Sequence, residues 1–336
     1  MVSSMLLFIW ARNLILKNKD CRSSRQRRLT VIPGLTGDLK NNNMKKYITI
    51  IAALAALMSC QKEGPAEIQG DNQIVFEFGL PATKATAENF ETGDKVSVWA
   101  VEYTSEEAPE LQIGGNFLNN ETLAFDGSSW SSNRTLFWSS KACDFYAVYP
   151  AIEPTSVESY LLNIATDQNS LETQDALGGY EASDLMFAKA EAVSHSDGKV
   201  SLSFKHMMSK CVVNVLKGEK FEGELPDDIA VHIYNTVTTA DLNLANGSVE
   251  KYALGDRKTI TMKKLSNEQF KAIVIPQNIE RRTPLIEISM GGIAYLLEYS
   301  LSFKPGYQHT INLTVNTSPD QEKFEIAIDP GIEDWE

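Results

Sequence analysis

Apolar and polar residues alternate in many short runs along the chain beyond residue 73. Within residues 95–101, Val96, Val98 and Ala100 share one face, which is the pattern of a half-buried β-strand. No long run has helical spacing of its apolar residues. The sequence therefore predicts an all-β protein. Further strands are predicted at residues 74–78, 144–149, 199–204, 211–215, 229–234, 240–244, 259–262, 271–275, 285–289, 293–299 and 310–315.

Turn residues separate these strands and suggest how they are grouped. The dipeptides Asn246-Gly247 and Gly291-Gly292 are typical of two-residue β-hairpin loops. Short strands at this spacing favour β-sandwiches. A polar joint at residues 195–198 separates two series of strands. We therefore predict two sandwich domains in tandem, at residues 71–196 and 197–336.

A short apolar run near the amino terminus has the form of a secretory signal. Residues 48–58 are apolar and follow the basic start Met44-Lys45-Lys46. The run is too short to span a bilayer, which needs about 20 residues. It ends Leu57-Met58-Ser59-Cys60, which resembles the bacterial lipobox, in which the cysteine thiol receives diacylglycerol. We therefore predict a lipoprotein signal peptide at residues 44–59 and a lipid anchor on Cys60.

The segments on either side of this signal are expected to lie outside the folded body. Residues 1–43 carry a separate basic stretch, and we interpret them as sequence upstream of the true start. Residues 60–70 are polar and suit a short tether. The 59 residues before Cys60 hold ten Lys and Arg and two Asp and Glu, which leaves 21 basic and 42 acidic residues. Such an acidic surface disfavours nucleic acid as a partner.

Two cysteines remain within the predicted folded body, Cys143 and Cys211. Export permits a disulfide bond between them. Sequence spacing alone, however, does not place two thiols within bonding distance. Two separately buried thiols are the other interpretation, and the one we favour.

Residues with catalytic or metal-binding spacing do not stand out. The histidines are scattered and no cysteine pair has C-x-x-C spacing. A secreted hydrolase would need convergent acid, base or metal residues. His206 alone follows an apolar strand entry, and we favour a histidine satisfied in a core or domain junction over a ligand. We therefore predict no enzymatic activity, no metal and no cofactor.

Several motifs, in order along the chain, resemble the fimbrillin family, also called Mfa-like, the subunits of type V pili. The most distinctive are Phe137-Trp138-Ser139-Ser140 and, shortly after it, Asp144-Phe145-Tyr146-Ala147-Val148-Tyr149-Pro150. Leu202-Ser203-Phe204-Lys205-His206-Met207-Met208-Ser209-Lys210 is similar to the segment that opens the family's second domain. Other matching segments are Gly93-Asp94-Lys95-Val96-Ser97-Val98, Asp184-Leu185-Met186-Phe187-Ala188, Ile275-Pro276-Gln277 and Pro305-Gly306-Tyr307-Gln308-His309-Thr310.

The resemblance implies a fold, a location and a mode of assembly. It implies two transthyretin-like β-sandwich domains in an outer-membrane lipoprotein precursor at the cell surface, with a role in adhesion. In polymerising members it further implies that a trypsin-like protease removes the first strand, and that a strand of the next subunit fills the opened groove by β-augmentation. The partners would then be other pilus subunits, and the lipid alone would contact the membrane.

Residues 74–78 are the candidate removable strand under this resemblance. Lys84 follows them and is the candidate cleavage site. The family often carries arginine at this cut, but no arginine lies between Cys60 and Arg134. An arginine-specific protease would therefore find no site here, and cleavage at Lys84 is a hypothesis.

Residues 323–328, near the other end of the chain, alternate between apolar and polar after a natural last strand. Phe324, Ile326 and Ile328 are therefore candidate donor side chains for the groove of a neighbouring subunit. The alternative, which we leave open, is that they add an edge strand to their own second domain.

Residues 151–182 are rich in Ser, Thr, Asn, Asp and Gln and predict a long loop or insertion. Such a loop is either functional or mobile. The competing functional hypothesis uses it. A surface lipoprotein that does not polymerise would bind glycan or host protein through this loop and through exposed aromatic residues such as Trp130 and Tyr180.

Overall fold

Strands run through most of the described chain, and the all-β prediction is confirmed. The computed structural model describes residues 72–80, 89–106, 108–174, 176–316 and 326–335. The predicted signal peptide, Cys60, the tether, Lys84 and Phe324 lie outside these residues. A short helix, α1, spans Gly179–Ser183. The strands are, in chain order, β1 (Phe76–Gly79), β2 (Lys95–Glu102), β3 (Leu118–Phe125), β4 (Trp130–Ser132), β5 (Cys143–Tyr149), β6 (Tyr160–Asn163), β7 (Met186–Val193), β8 (Val200–Ser203), β9 (Lys205–His206), β10 (Ser209–Lys217), β11 (Ala230–Val237), β12 (Thr239–Leu242), β13 (Val249–Lys251), β14 (Arg257–Thr261), β15 (Lys263–Lys264), β16 (Gln269–Val274), β17 (Gln277–Ile279), β18 (Pro284–Met290), β19 (Ile293–Glu298), β20 (Leu301–Phe303), β21 (Tyr307–Val315) and β22 (Ile326–Asp334).

A first hydrophobic core lies against one face of a six-stranded sheet with the order β4-β3-β2-β5-β7-β9. The parallel pair β1-β8 contributes to the same core. Its interior is built from apolar side chains of these strands, among them Phe76, Val98, Phe145 and Leu202. The first and the eighth strand, far apart in sequence, thus close one side of this core.

The same six-stranded sheet is buried on both faces at its centre. Val96, Val98 and Ala100 of β2 lie in the first core, whereas Trp99 and Val101 lie in a second core. Every residue of β5 is buried. The strand predicted for residues 95–101 is confirmed, but the expectation that it is only half-buried is wrong, because the second core covers its other face.

The second core lies between a five-stranded sheet, β15-β16-β10-β21-β22, and a four-stranded sheet, β14-β11-β18-β19. Smaller sheets, β13-β12-β6 and β17-β20, adjoin it. Fully buried side chains from both large sheets meet in this core, including Val213, Ile233, Ile286 and Leu313. β10 and β21 pair in parallel, and β22 pairs antiparallel with β21 at the edge.

Residues 151–182 contain more regular structure than a loop. They include β6, which pairs antiparallel with β12, and they lead into α1. Ile164 and Tyr180 are buried in the second core. The prediction of a long irregular loop is therefore wrong in part. One of its polar residues, Gln168, bonds the backbone of Ile273 in the second core, which a composition rich in polar residues does not reveal.

The two predicted hairpins form, with different loops. Gly291 and Gly292 alone connect β18 to β19, and both have positive φ, +57° and +76°, as a two-residue hairpin loop requires. β12 and β13 also pair antiparallel around Gly247. Their loop is longer than the two residues predicted, because the backbone carbonyl of Asn243 accepts the Gly247 N–H at 2.8 Å and the Asn243 backbone N–H donates to the Ser248 carbonyl at 3.0 Å.

Cys143 and Cys211 are both free and buried, in the first and the second core respectively. The two thiols are thus separately buried, as the sequence analysis favoured.

The first core extends to Phe204, and Met208 belongs to the second. The division into two domains at residues 195–198 stays a prediction. No helix in the described part of the chain is long and apolar enough to cross a membrane.

Candidate functional site

The first described segment lies between two walls of backbone. On one side, the Ile74 N–H donates to the Leu136 carbonyl and the Trp138 N–H donates to the Asn72 carbonyl, both at 2.8 Å. On the other side, β1 pairs in parallel with β8 in the register Phe76 to Val200. The segment therefore occupies a slot between residues 136–138 and β8, and it forms backbone hydrogen bonds with both sides.

Alternate side chains of this segment point into the first core. Ile74, Phe76 and Phe78 are buried, whereas the side chain of Val75 between them is 55% exposed. Phe76 stacks on Phe78 with 5.9 Å between ring centroids, and its edge meets Phe145 at the same distance. Burial of each such side chain contributes roughly 1.5–3 kcal/mol. Removing the segment would therefore open an apolar cleft with three side-chain positions.

Phe78 and Phe90 pack in one aromatic cluster although they lie on either side of residues 81–88. Phe78 contacts Trp130 with 4.9 Å between ring centroids and Phe204 with 5.6 Å. Phe90 contacts the same two rings at 4.9 and 6.1 Å. Lys84, the predicted cleavage site, falls in the undescribed stretch between them. The structure thus places an anchored aromatic residue on each side of that stretch.

Glu77 is the polar counterpart of these apolar residues on the outer face. It is exposed, pairs with Lys199, and accepts a hydrogen bond from Ser201 Oγ at 3.1 Å. The hydrogen bond from Lys199 lowers the pKa of the Glu77 carboxyl. Exposed ion pairs contribute little to stability. This ion pair therefore helps to fix the register of β1 on β8 but adds little to the free energy of unfolding.

The candidate donor strand lies at the edge of its own sheet. β22 pairs antiparallel with β21 from Val315 opposite Ile326 to Tyr307 opposite Asp334. Ile326 and Ile328 belong to this strand, and Phe324 lies outside the described residues. In the single chain the segment thus occupies the edge position that the open alternative predicts. The donor role is untested by this arrangement.

Trp335 ends the described chain and is buried, with 5% of its surface exposed. Its ring stacks on His206 with 3.7 Å between centroids and 10° between planes. Lys210 Nζ lies 5.4 Å from the centroid, and the Trp335 N–H donates to the Gly306 carbonyl at 2.8 Å. We call His206, Lys210 and Gly306 the Trp335 seat. Sequence reasoning missed Trp335, although a lone tryptophan at the end of an acidic tail was a visible signal.

A second contact of the His206 ring is made at its edge, through a ring nitrogen. Its Nδ1 lies 2.8 Å from Asp184 Oδ1, and both side chains are buried. His206 is therefore a satisfied histidine between the two cores, as the sequence analysis favoured. Among the described residues, no three His, Cys, Asp or Glu side chains form a cluster that could hold a metal ion.

Two aromatic residues that were predicted to be exposed are partly or fully buried. Tyr180 is 2% exposed, and Lys271 Nζ lies 3.9 Å from its ring centroid. Trp130 is half-buried in the aromatic cluster with Phe78 and Phe90. The prediction that Tyr180 is exposed is therefore wrong, and Trp130 is exposed only in part.

An open depression of about 630 Å³ lies at the Asn72 end of the slot that holds β1. It is lined largely by polar side chains, among them Ser139, Lys141 and Ser194. Trp138 forms part of its lining but is 6% exposed.

Comparison with known proteins gives one family and a set of similar folds. A family model described as fimbrillin-like matches residues 83–335. A solved structure of a candidate cell adhesion protein from Bacteroides uniformis is 19% identical, with a TM-score of 0.57, covering 79% of this chain and 99% of that one. A candidate cell adhesion protein from Bacteroides ovatus is 15% identical, with a TM-score of 0.60, covering 78% and 97%. No curated protein matches the chain.

Proposed function

The chain belongs to the fimbrillin-like family of fimbrial structural subunits, and from this premise we propose that it is a lipid-anchored precursor that assembles by strand exchange. In this proposal Cys60 delivers the precursor to the outer membrane at the cell surface. Cleavage after Lys84 then removes the lipid together with β1. The emptied slot accepts a strand from the next subunit.

The observation that carries the proposal is the position of residues 72–79 between two walls. Without this segment, the Leu136 carbonyl and the N–H groups of Trp138, Val200 and Phe204 would lose their partners. Unpaired backbone groups beside an exposed apolar cleft form a template for another strand. The slot would then have unpaired backbone groups and an exposed apolar interior. Both favour binding of another strand that has an apolar residue at every second position.

The proposed occupant is the segment that contains Phe324, Ile326 and Ile328 of a neighbouring copy or a related subunit. These residues share the two-residue spacing of Ile74, Phe76 and Phe78. In β-augmentation, main-chain hydrogen bonds supply affinity and alternate side chains supply specificity. An apolar residue at every second position is therefore the pattern that the three vacated positions require.

The proposal is tested by the size of the assemblies on the cell surface. We expect unboiled membrane samples to show a ladder of SDS-resistant multimers for the natural protein. Lys84→Gln removes the lysine at which a trypsin-like protease would cut, and should leave a single band. Lys95→Gln changes an exposed lysine at the start of β2 and serves as the matched control, with the ladder intact.

An unchanged ladder in the Lys84→Gln variant would contradict cleavage at this lysine. A single band for the natural protein, with the lipid still on Cys60, would instead favour the surface lipoprotein that binds glycan or host protein without polymerising.

A further inference from the structure

The end of β22 is attached to its sheet almost entirely by backbone. All six residues at 329–334 are exposed, and Ile332 is 52% exposed. Pro330 has no N–H to donate to the ladder with β21. The Gln308 side chain donates to Glu333 at 2.6 Å, but this contact is also exposed. Side-chain burial therefore does not hold this part of the strand in place.

Trp335 is the exception among residues 329–335, since its side chain alone is buried there. The ring lies flat on His206, and the ammonium of Lys210 lies 5.4 Å from its centroid. Cations near the face of an indole ring are attracted by its electron-rich face. The backbone of Trp335 adds a hydrogen bond to the Gly306 carbonyl. A single residue thus provides the side-chain anchoring of the strand end.

The Trp335 seat is held by contacts that do not involve Trp335. Asp184 Oδ1 lies 2.8 Å from His206 Nδ1, at the edge of the ring. The Gly306 N–H donates to the Met208 carbonyl at 2.8 Å, and Gly306 has a φ of +71°, which a side chain would strain. The seat would therefore persist after the tryptophan leaves, so that release and return of the strand need no rearrangement of either core.

We propose that Trp335 is a latch, by which we mean the one side chain that keeps the end of β22 docked on β21 of its own chain. When Trp335 leaves the seat, residues 329–334 lose the one buried side chain beside them, and their backbone ladder to β21 opens more readily. In combination with the proposed function, on which this consequence rests, the latch decides whether the carboxyl-terminal segment is available to a neighbouring subunit.

The latch is tested by hydrogen exchange of the β21 amides that bond β22, in the monomeric fraction of the full chain. Loss of a buried aromatic side chain should raise their exchange in Trp335→Ala by about 30-fold. Trp335→Phe keeps an aromatic ring on His206 and should restore most of the protection. Ile332→Ala removes an exposed apolar side chain from the same strand and should leave the rates unchanged.

A covalent lock separates strand release from general unfolding. Gln308 and Glu333 lie opposite each other in the register of β21 and β22, so Gln308→Cys with Glu333→Cys places a disulfide bond across the pair. Oxidation of this pair should restore protection to the Trp335→Ala chain.

Two results would overturn the latch. The first is exchange in Trp335→Ala equal to that in Ile332→Ala. The second is loss of protection throughout β10 and β16 as well, which would make Trp335 an ordinary core residue. Faster exchange in Trp335→Ala without any change in SDS-resistant multimers would support the latch and contradict the donor role of the segment.

Discussion

Gln168 pairs with the backbone of Ile273 as a neighbouring β-strand would. The Ile273 N–H donates to Gln168 Oε1 at 2.7 Å, and Gln168 Nε2 donates to the Ile273 carbonyl at 2.7 Å. Gln168 is 0% exposed. One side chain from residues 151–182 thus completes a buried edge of the second core and fixes this insertion in place.

Replacing Gln168 should lower the free energy of unfolding more than replacing an exposed glutamine. Gln168→Leu leaves the N–H and carbonyl of Ile273 buried without these partners, at a cost of at least about 2 kcal/mol. Urea unfolding measures the change. Gln112→Leu, the same substitution at an exposed position, should change stability by less than about 0.5 kcal/mol. Equal effects at the two sites would contradict the strand-like role of Gln168.

Truncating the first strand should show that its buried face fills the slot. Phe78→Ala removes a ring that contacts Trp130 and Phe204, and should cost about 3–5 kcal/mol in the uncleaved chain. Val75→Ala on the exposed face of the same segment should cost about 0.5 kcal/mol or less. Thermal or urea unfolding of chains whose intact mass confirms an uncut amino terminus provides the comparison. Similar losses for both variants would argue against the slot.

The hairpin loop at Gly247 should tolerate no side chain. A Cβ atom there would lie 2.3 Å from Phe187 Cδ1, and the φ of +73° already disfavours other residues. Gly247→Ala should therefore cost about 1 kcal/mol for backbone strain and about 1–3 kcal/mol for overpacking. Gly292→Ala, with a φ of +76° and open space around the new methyl group, isolates the strain alone. If the two variants lose the same stability in urea, Phe187 does not pack against this loop.

His309 should make the fold sensitive to mild acid. Burial and, to a smaller extent, the charge on Lys304 lower the pKa of His309 to about 4. The unfolded chain, with a histidine pKa near 6.5, binds a proton between about pH 6.5 and 4 that the folded chain does not. Stability should therefore be complete above this range and fall as the pH drops through it, by about 3 kcal/mol at most.

The pH effect is assigned to His309 by substitution. His309→Gln should flatten the difference in unfolding free energy between pH 7 and pH 4.5. His195→Gln changes an exposed histidine and should leave that difference as it is. An unchanged slope in His309→Gln would show that other groups cause the acid sensitivity.

Much of the fold could be predicted because its strands carry their own signals. β2, β5 and β10 are rich in β-branched and aromatic residues. Gly291-Gly292 marks a hairpin because both residues of its two-residue loop have positive φ, which glycine adopts readily. β3 was not predicted, because its polar residues match no strand pattern without knowledge of its neighbour β2. Local sequence thus reveals strands with a strong apolar pattern and misses those that depend on pairing.

Burial and partnership at the candidate site were harder to predict. Ser97 reads as a solvent-facing residue, yet it is fully buried because its hydroxyl bonds the backbone of Ile152 twice, at 3.0 Å each. Trp335 is buried through His206, a residue 129 positions earlier in the chain. Contacts over such distances in sequence leave no periodic pattern, so only the folded structure reveals them.

The amino terminus of the assembled subunits is the most direct test of strand exchange. Multimers from the SDS-resistant ladder should be dissociated by boiling, then measured by intact mass and amino-terminal sequencing. The account predicts chains that begin at Ala85, without lipid and without Ile74, Phe76 and Phe78. Multimers whose chains still begin at lipid-bearing Cys60 would contradict it.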